Sequence, residues 1–277
     1  MGHRGAANDS NGLAIRILGF LTFLRSRSVS SQKKRGVNFL RKLRVRRRGV
    51  FFPAEVWHET LKRIRRGAGV TVSADEVERL FTRSDGQYLF ARWARPIVPV
   101  VFGVAPETLP ILKGAIEAVV TLAGHRMAET DPELGANLML FYFRDWRELL
   151  EVPDLGRMID GLGPLVERLE AAGANQYRVF RFDAGGAIRA CFEFARMDAE
   201  LSAVPAETLA LNQAVQMILL WSDRAFDARP PLALAGEVAV LRPEIGAVIR
   251  AGYDPVLPAV SRDRVHAMRV AARGQVR

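Results

Sequence analysis

The longest apolar stretch of the folded part of the chain, residues 205–223, predicts a helix that is apolar on nearly all sides. Its polar residues share one face, because three of them follow one another at spacing four and the fourth lies beside them. They are Thr208, Asn212, Gln213 and Gln216. A helix with so narrow a polar strip is typical of a central position, with other layers packed against it.

The pattern around this helix predicts a mixture of helices and strands. Further helices are predicted over 53–66, 73–81, 106–123, 165–171, 243–250 and 261–272. Strands are predicted over 88–93, 97–102, 125–129 and 137–143, and a hairpin joins 177–182 to 187–194 through the turn Asp183-Ala184-Gly185-Gly186. Pro99 places the second of these strands at an edge or a bulge.

These elements predict the α+β class, because a mixed set of strands and helices is followed by a helical layer at the C-terminal end. We expect a mixed, mostly antiparallel sheet, a long buried helix and a helical C-terminal layer. No internal repeat or linker interrupts residues 53–277, so we predict a single globular domain there. Residues 1–52 are predicted to be a basic arm, either flexible or lying on a membrane surface.

Charge divides the chain in two. Its formal net charge is +10, but residues 1–66 carry 17 Lys+Arg against three acidic residues, a net of +14. The remaining residues carry 23 basic and 27 acidic side chains, a net of −4. The chain is therefore a mildly acidic body with a strongly basic N-terminal arm.

Within the arm, residues 13–24 form an apolar run about half as long as a membrane-spanning helix, and Arg16 interrupts it. The run is compatible with a cleaved signal peptide, a surface-lying amphipathic segment or a disordered tail. Basic residues follow the run, whereas the basic residues of a signal peptide precede its apolar segment.

Residues 25–48 contain no acidic residue, and their basic side chains are interspersed with Val37, Phe39, Leu40 and Leu43. This pattern favours binding to an anionic surface. The candidate residues are Lys33, Lys34, Arg35, Arg41, Lys42, Arg44, Arg46, Arg47 and Arg48. The same charges would bind the phosphates of RNA or DNA. An anionic membrane is the favoured partner, nucleic acid the alternative, and no protein partner is indicated.

Histidines do not complete a metal site in the sequence. His58 and Glu59 begin an H-E-x-x-H pattern, but Lys62 stands where the second histidine is required. His125 lies near Glu129 and Asp131, but the pattern offers it no nucleophile. We therefore predict no catalytic residue, no bound metal and no cofactor.

Two other features have ordinary structural interpretations. Cys191 is the only cysteine, which excludes an intrachain disulfide and a cysteine-based zinc or iron–sulfur site, and it lies in an apolar strand. Gly185-Gly186 lacks the Lys-Ser/Thr of a phosphate-binding loop and does not lead into a helix, so we interpret it as a turn.

Four short motifs carry a resemblance to a known family. They are Arg92-Trp93 with Pro96-Ile97, Ala136-Asn137-Leu138, Asn212-Gln213-Ala214-Val215 and Tyr253-Asp254-Pro255. On these motifs, residues 88–258 resemble a proteobacterial domain family of unknown function with a degenerate, zincin-like (metallopeptidase-like) layout. That family has an acidic pair before the glutamine of the long helix, where this chain has Leu209 and Ala210. The resemblance therefore implies a zincin-like scaffold without hydrolytic chemistry.

Three functional hypotheses follow. The first is a non-catalytic domain, a pseudoenzyme, held at a membrane surface or in the cell envelope by the basic arm. The second is a protein associated with nucleic acid or the ribosome that uses the same arm. The third is a hydrolase whose groups converge only in three dimensions, around a candidate polar cluster with His125 beside it. The cluster comprises Asn212, Gln213, Gln216 and Asp223.

Overall fold

The computed structural model describes residues 71–275 and confirms the α+β class. The helices are α1 (Ala74–Phe81), α2 (Leu109–Leu122), α3 (Leu155–Met158), α4 (Leu162–Ala171), α5 (Ala199–Ala203), α6 (Ala206–Ile218), α7 (Pro243–Gly252) and α8 (Val265–Gly274). The strands are β1 (Phe90–Ala91), β2 (Pro99–Phe102), β3 (Leu138–Phe143), β4 (Gln176–Phe182), β5 (Ile188–Arg196), β6 (Leu232–Ala235), β7 (Val238–Leu241) and β8 (Val260–Ser261). The predicted arm and the predicted helix over 53–66 lie outside the described residues.

Four strands form the central sheet, in the order β2-β3-β5-β4. β3 pairs in parallel with both β2 and β5, whereas β4 and β5 form the predicted antiparallel hairpin. The pairs β1–β8 and β6–β7 are also antiparallel, so three of the five strand pairings described are antiparallel. The sheets are therefore mixed and mostly antiparallel, as predicted, and β2, which contains Pro99, lies at an edge.

Each face of the central sheet is covered by its own apolar core. On one face α2 and α6 pack along each other and enclose residues such as Leu138, Leu140 and Val215. On the other face α3, α4 and the 3₁₀ helix Trp146–Glu151 enclose Met139, Phe141 and Phe194. Successive residues of β3 therefore point to opposite cores, which is why the whole strand is apolar.

The C-terminal helices form a layer behind α2 and α6, as predicted. α8 packs on both α1 and α7, and α7 also contacts α2. α1 begins at a capping box, in which the Ser73 hydroxyl accepts the backbone N–H of Glu76 and the Glu76 carboxylate accepts the backbone N–H of Ser73. The first described helix, α1, therefore packs against the C-terminal helical layer.

The long helix is shorter than predicted, because α6 ends at Ile218 rather than continuing through 219–223. Leu219 forms a β-bridge with Arg92, and the N–H of Leu220 donates to the carbonyl of Ala91, so these residues extend the β1 ladder. A continued helix and the extended conformation would both bury Leu219 and Leu220, so the apolar pattern alone could not distinguish the two conformations. The backbone partner on β1 decides between them.

Two predicted strands are also shorter or absent. The strand predicted over 88–93 is reduced to Phe90–Ala91, flanked by isolated bridges. Residues 125–129 do not form a strand, and Met127 makes only a single bridge to Ile97. In both segments, only one or two residues have a neighbouring backbone with which they can form β-pairing hydrogen bonds.

Candidate functional site

Gln213, from the predicted polar strip of α6, is fully buried against the central sheet. Its side-chain oxygen accepts a hydrogen bond from the hydroxyl of Tyr142 on β3. Tyr142 points toward α6 because it alternates in phase with Leu138 and Leu140, which face the same core. The amide nitrogen of Gln213 is buried and has no hydrogen-bond partner within residues 71–275.

A charged pair lies on the same face of the sheet. Glu193 on β5 is fully buried, and Arg178 stands opposite it on β4 in the antiparallel register. Arg178 Nε lies 2.5 Å from the Glu193 carboxylate. Burial raises the pKa of Glu193 to about 7, although the positive charge of Arg178 opposes the shift.

Tyr142 interacts both with Gln213, through a hydrogen bond, and with Glu193, through its charge. Burial raises the pKa of its hydroxyl, and the charge of Glu193 raises it further. We call Tyr142, Arg178, Glu193 and Gln213 the buried polar cluster. Tyr142 pairs with Gln213 and Arg178 pairs with Glu193, and the arrangement places an ionisable carboxyl group inside the core.

The other residues of the predicted polar cluster have different surroundings. Asn212 and Gln216 are half-buried on α6. Asp223 is exposed beyond the end of the helix, and its carboxylate accepts the backbone N–H of Ser84 at 3.0 Å. Hydrogen bonding from the side chain of Ser84, together with its backbone N–H, lowers the pKa of Asp223. Of the four residues, only Gln213 belongs to the buried polar cluster.

His125 and Asp131 have separate partners, so the structure does not join them as a catalytic pair. His125 Nε2 donates to the carbonyl of Arg95 at 2.8 Å, and its ring lies 5.1 Å from that of Tyr253. Burial lowers the pKa of His125. Asp131 is buried and accepts the backbone N–H groups of Glu133 and Leu134.

The motif residue Asn137 holds the start of β3 against the strand beside it. Its side-chain oxygen accepts the N–H of Val98 at 2.8 Å. Its side-chain nitrogen donates to the carbonyl of Pro96 and to the carboxylate of Asp131, each at 2.9 Å. Asn137 is fully buried, and these three hydrogen bonds satisfy most of its capacity.

Two other motif residues bind the C-terminal end of α6. The indole N–H of Trp93 donates to the carbonyl of Met217 at 2.9 Å. The hydroxyl of Tyr253 donates to the carbonyl of Ile218 at 2.8 Å. The last carbonyls of a helix have no partner within the helix. Aromatic side chains supply those partners here, so the motifs that carry the resemblance stabilise the position of α6.

The sequence pattern did not identify Tyr142, Arg178 and Glu193 as members of a polar cluster. Glu193 gave one signal, because it stands in phase with Cys191 and Ala195 in an otherwise apolar strand. A charged residue at an inward position of a buried strand requires a partner. The identity of that partner depends on the pairing of β4 with β5 and could not be read from local spacing.

Residues 71–275 contain no group of three or more His, Cys, Asp or Glu side chains that could hold a metal ion. In the same part of the chain, no helix is both long and apolar enough to cross a membrane. Comparison with known proteins found no matching family model, no matching curated protein and no matching solved structure.

Proposed function

We propose that this protein is a non-catalytic, zincin-like domain held at an anionic membrane surface or in the cell envelope by its basic arm. The observation that carries the proposal is the division of charge, +14 in residues 1–66 and −4 in the remainder. The net attraction to an anionic surface is therefore expected from the N-terminal segment, and the net charge of the remainder opposes it.

Ion pairs within the body support this assignment. Arg147 pairs with Glu170, Arg264 with Glu78, and Arg273 with Asp254, at 2.8–3.0 Å. Residues 25–48, in contrast, hold 11 Lys+Arg and no acidic residue. A basic residue near an anionic leaflet contributes about 1 kcal/mol of binding, so this block is sufficient for stable surface attachment.

The surroundings of α6 support the absence of catalysis in the proposal. Positions 209, 210 and 213 of the helix hold Leu, Ala and Gln, all buried in the core. The side-chain oxygen of Gln213 is already engaged by Tyr142. A general base or metal ligand on this face would need an ionisable side chain open to substrate.

The proposal is tested by neutralising part of the arm in the full-length protein. The variant carries Arg→Gln at Arg44, Arg46, Arg47 and Arg48. The matched control carries Arg→Gln at four exposed arginines of the body, namely Arg157, Arg168, Arg224 and Arg262. Both variants lose four positive charges. We expect the arm variant to bind vesicles containing anionic lipid at least tenfold more weakly, and the control less than twofold.

Equal losses in the two variants would contradict the proposal, because attraction would then follow net charge and not the arm. The same samples are titrated with single-stranded RNA at physiological salt. Tighter binding to RNA than to vesicles, with a steep dependence on salt, would replace the membrane with nucleic acid as the partner.

A further inference from the structure

A groove opens on the helical layer, where α1 and α7 face the segment that follows α6. Its cavity volume is about 160 Å³. The apolar part of its lining is formed by Val72, Leu80, Ala225, Ala228, Ile245 and Val248. Because Val72, Ile245 and Val248 also belong to the buried core, the floor of the groove is held in place by the packing of the body.

The charged part of the lining is basic. Four arginines and two glutamates line the groove, a formal net charge of +2, although residues 67–277 together carry a net charge of −4. Both glutamates are already engaged. The Glu76 carboxylate accepts the backbone N–H and the hydroxyl of Ser73 at 2.9 and 3.0 Å, and Glu244 pairs with Arg229 at 2.9 Å. The groove is therefore a locally basic site on an acidic body.

Two of its arginines have no carboxylate partner. Arg79 is exposed, and its guanidinium makes no hydrogen bond or ion pair within the described part of the chain. Arg242 Nε donates to the carbonyl of Pro230 at 2.9 Å, which holds this guanidinium at the rim. Arg224 pairs with Asp227 at 3.6 Å. Four arginines against three carboxylates leave an excess of one positive charge at the groove.

Size and charge together define the ligand. A dry cavity of about 150 Å³ accepts a molecule the size of benzene, so the apolar floor has room for about one ring. A guanidinium group binds a carboxylate through charge-assisted hydrogen bonds. One excess positive charge is balanced by one carboxylate, whereas a phosphate dianion would also be repelled by the two glutamates of the lining.

We propose that the groove binds a compact aromatic monocarboxylate, with the ring on the apolar floor and the carboxylate at Arg79 and Arg242. The site lies in the folded body, so the inference stands or fails independently of what the basic arm binds.

Three small probes separate the contributions of ring and charge. Phenylacetate carries both, phenylacetamide has the same shape without the charge, and acetate has the charge without the ring. Each is titrated into the full-length protein and followed by ligand-observed NMR. We expect phenylacetate to bind at least tenfold more tightly than either of the other two. Equal binding of phenylacetate and phenylacetamide, or of phenylacetate and acetate, would overturn the proposal.

Substitutions at exposed positions locate the binding. Arg79→Gln should weaken the binding of phenylacetate at least threefold, because it removes one of the two unpaired guanidinium groups. Arg168→Gln is the matched control, since Arg168 is an exposed arginine of α4 on the opposite face of the sheet. It should leave the binding unchanged. Equal effects of the two substitutions would contradict a carboxylate bound at Arg79.

A second pair of variants tests the floor. Ala228→Phe adds a ring at the groove from an exposed position and should abolish the binding of phenylacetate. Ala172→Phe, at the exposed end of α4, should not change it. Binding that is the same in Ala228→Phe as in the wild-type protein would overturn the proposal.

The basic arm also attracts anions, so its contribution is measured in the same way. The variant with Arg→Gln at Arg44, Arg46, Arg47 and Arg48 should bind phenylacetate as tightly as the wild-type protein does. A loss of phenylacetate binding in this variant would place the ligand on the arm and overturn the proposal. Binding of the same variant to vesicles is a separate measurement, so failure of the groove and failure of the arm are distinguishable.

Discussion

The hydroxyl of Tyr142, in the middle of the central sheet, donates a hydrogen bond to the side-chain oxygen of Gln213 on α6, and both residues are buried. This bond joins the helix and the sheet at the one position of the predicted polar strip that is fully enclosed. The polar strip of α6 is therefore in part a packing feature.

Removing either partner of this bond should destabilise the fold. Tyr142→Phe leaves the Gln213 oxygen unsatisfied, and we expect a loss of about 1–3 kcal/mol in the free energy of unfolding. The double variant Tyr142→Phe/Gln213→Leu should cost less than the sum of the two single changes, because both polar groups are removed. Urea unfolding measures all three. Tyr177→Phe, at a half-buried tyrosine of β4, is the control, and additive losses would contradict the coupling.

The Glu193–Arg178 pair should make stability depend on pH. The pKa of Glu193 is raised from its ordinary value of 4.5 to about 7 in the folded chain, so the folded state retains a proton that the unfolded state has lost. The contribution of Glu193 is therefore fully present below pH 4.5 and is lost as the pH rises through 7.

Glu193→Gln mimics the protonated carboxyl group at every pH. We expect the variant to match the wild-type protein near pH 4.5 and to be more stable at pH 8, by on the order of 2 kcal/mol. Chemical unfolding across this range measures the difference. Glu167→Gln, at an exposed position of α4, is the matched control. A Glu193→Gln variant that is less stable at pH 8 would show that the charged pair stabilises the fold.

His266 should produce the opposite slope on the acid side. It is buried on α8, its Nδ1 lies 2.9 Å from the hydroxyl of Tyr88, and burial lowers its pKa from 6.5 to about 4. The positive charge of Arg269 adds to this shift, and the negative charge of Asp263 opposes it. Because the unfolded state binds the proton more readily, the stability contributed by His266 is lost as the pH falls from 6.5 to 4.

His266→Gln removes this titration. Between pH 8 and 7 the variant and the wild-type protein should differ by a constant amount. Below pH 6.5 the wild-type protein should lose stability relative to the variant, by about 2–3 kcal/mol at pH 4. Thermal unfolding at constant ionic strength measures the difference, and parallel curves throughout would show that His266 is not buried in the neutral form.

Two glycines should respond to alanine in opposite ways. Gly103 follows β2 with φ +80°, and a Cβ there would lie 1.9 Å from the carbonyl oxygen of Tyr142. We expect Gly103→Ala to cost more than about 2 kcal/mol, because it combines backbone strain with a clash. Gly114 is helical and open, so Gly114→Ala should stabilise by roughly 0.5–1 kcal/mol. A tolerated Gly103→Ala in urea unfolding would contradict this geometry.

Removing the hydroxyl of Tyr253 should destabilise the fold even where the aromatic ring keeps its position. It donates to the carbonyl of Ile218 and accepts the backbone N–H of Trp93. Tyr253→Phe leaves both groups unpaired in the core, at a cost of about 1–3 kcal/mol. For a domain of this size the melting temperature should fall by several degrees. Tyr177→Phe should melt within a degree of the wild-type protein, and equal melting of the two variants would contradict a role in holding α6.

The pattern of apolar positions determined much of the architecture without any structure. The hairpin of β4 and β5, the buried strand β3, the helix α2 and the capping box of α1 all follow from local periodicity and turn chemistry, which act within a few residues. The α+β class and the helical C-terminal layer followed from the order of these elements. The division of charge is likewise a property of the sequence alone.

Only the tertiary structure decided how these elements pair and which polar groups meet. The end of α6 depends on β1, which is distant in the chain, and the parallel pairing of β5 with β3 cannot be read from either strand alone. The sequence placed Asp223 beside Gln213, whereas the buried polar cluster joins Gln213 to residues of three strands. Local spacing reports which side chains share a face, but partners contributed by distant segments are set by the packing of sheet and helix.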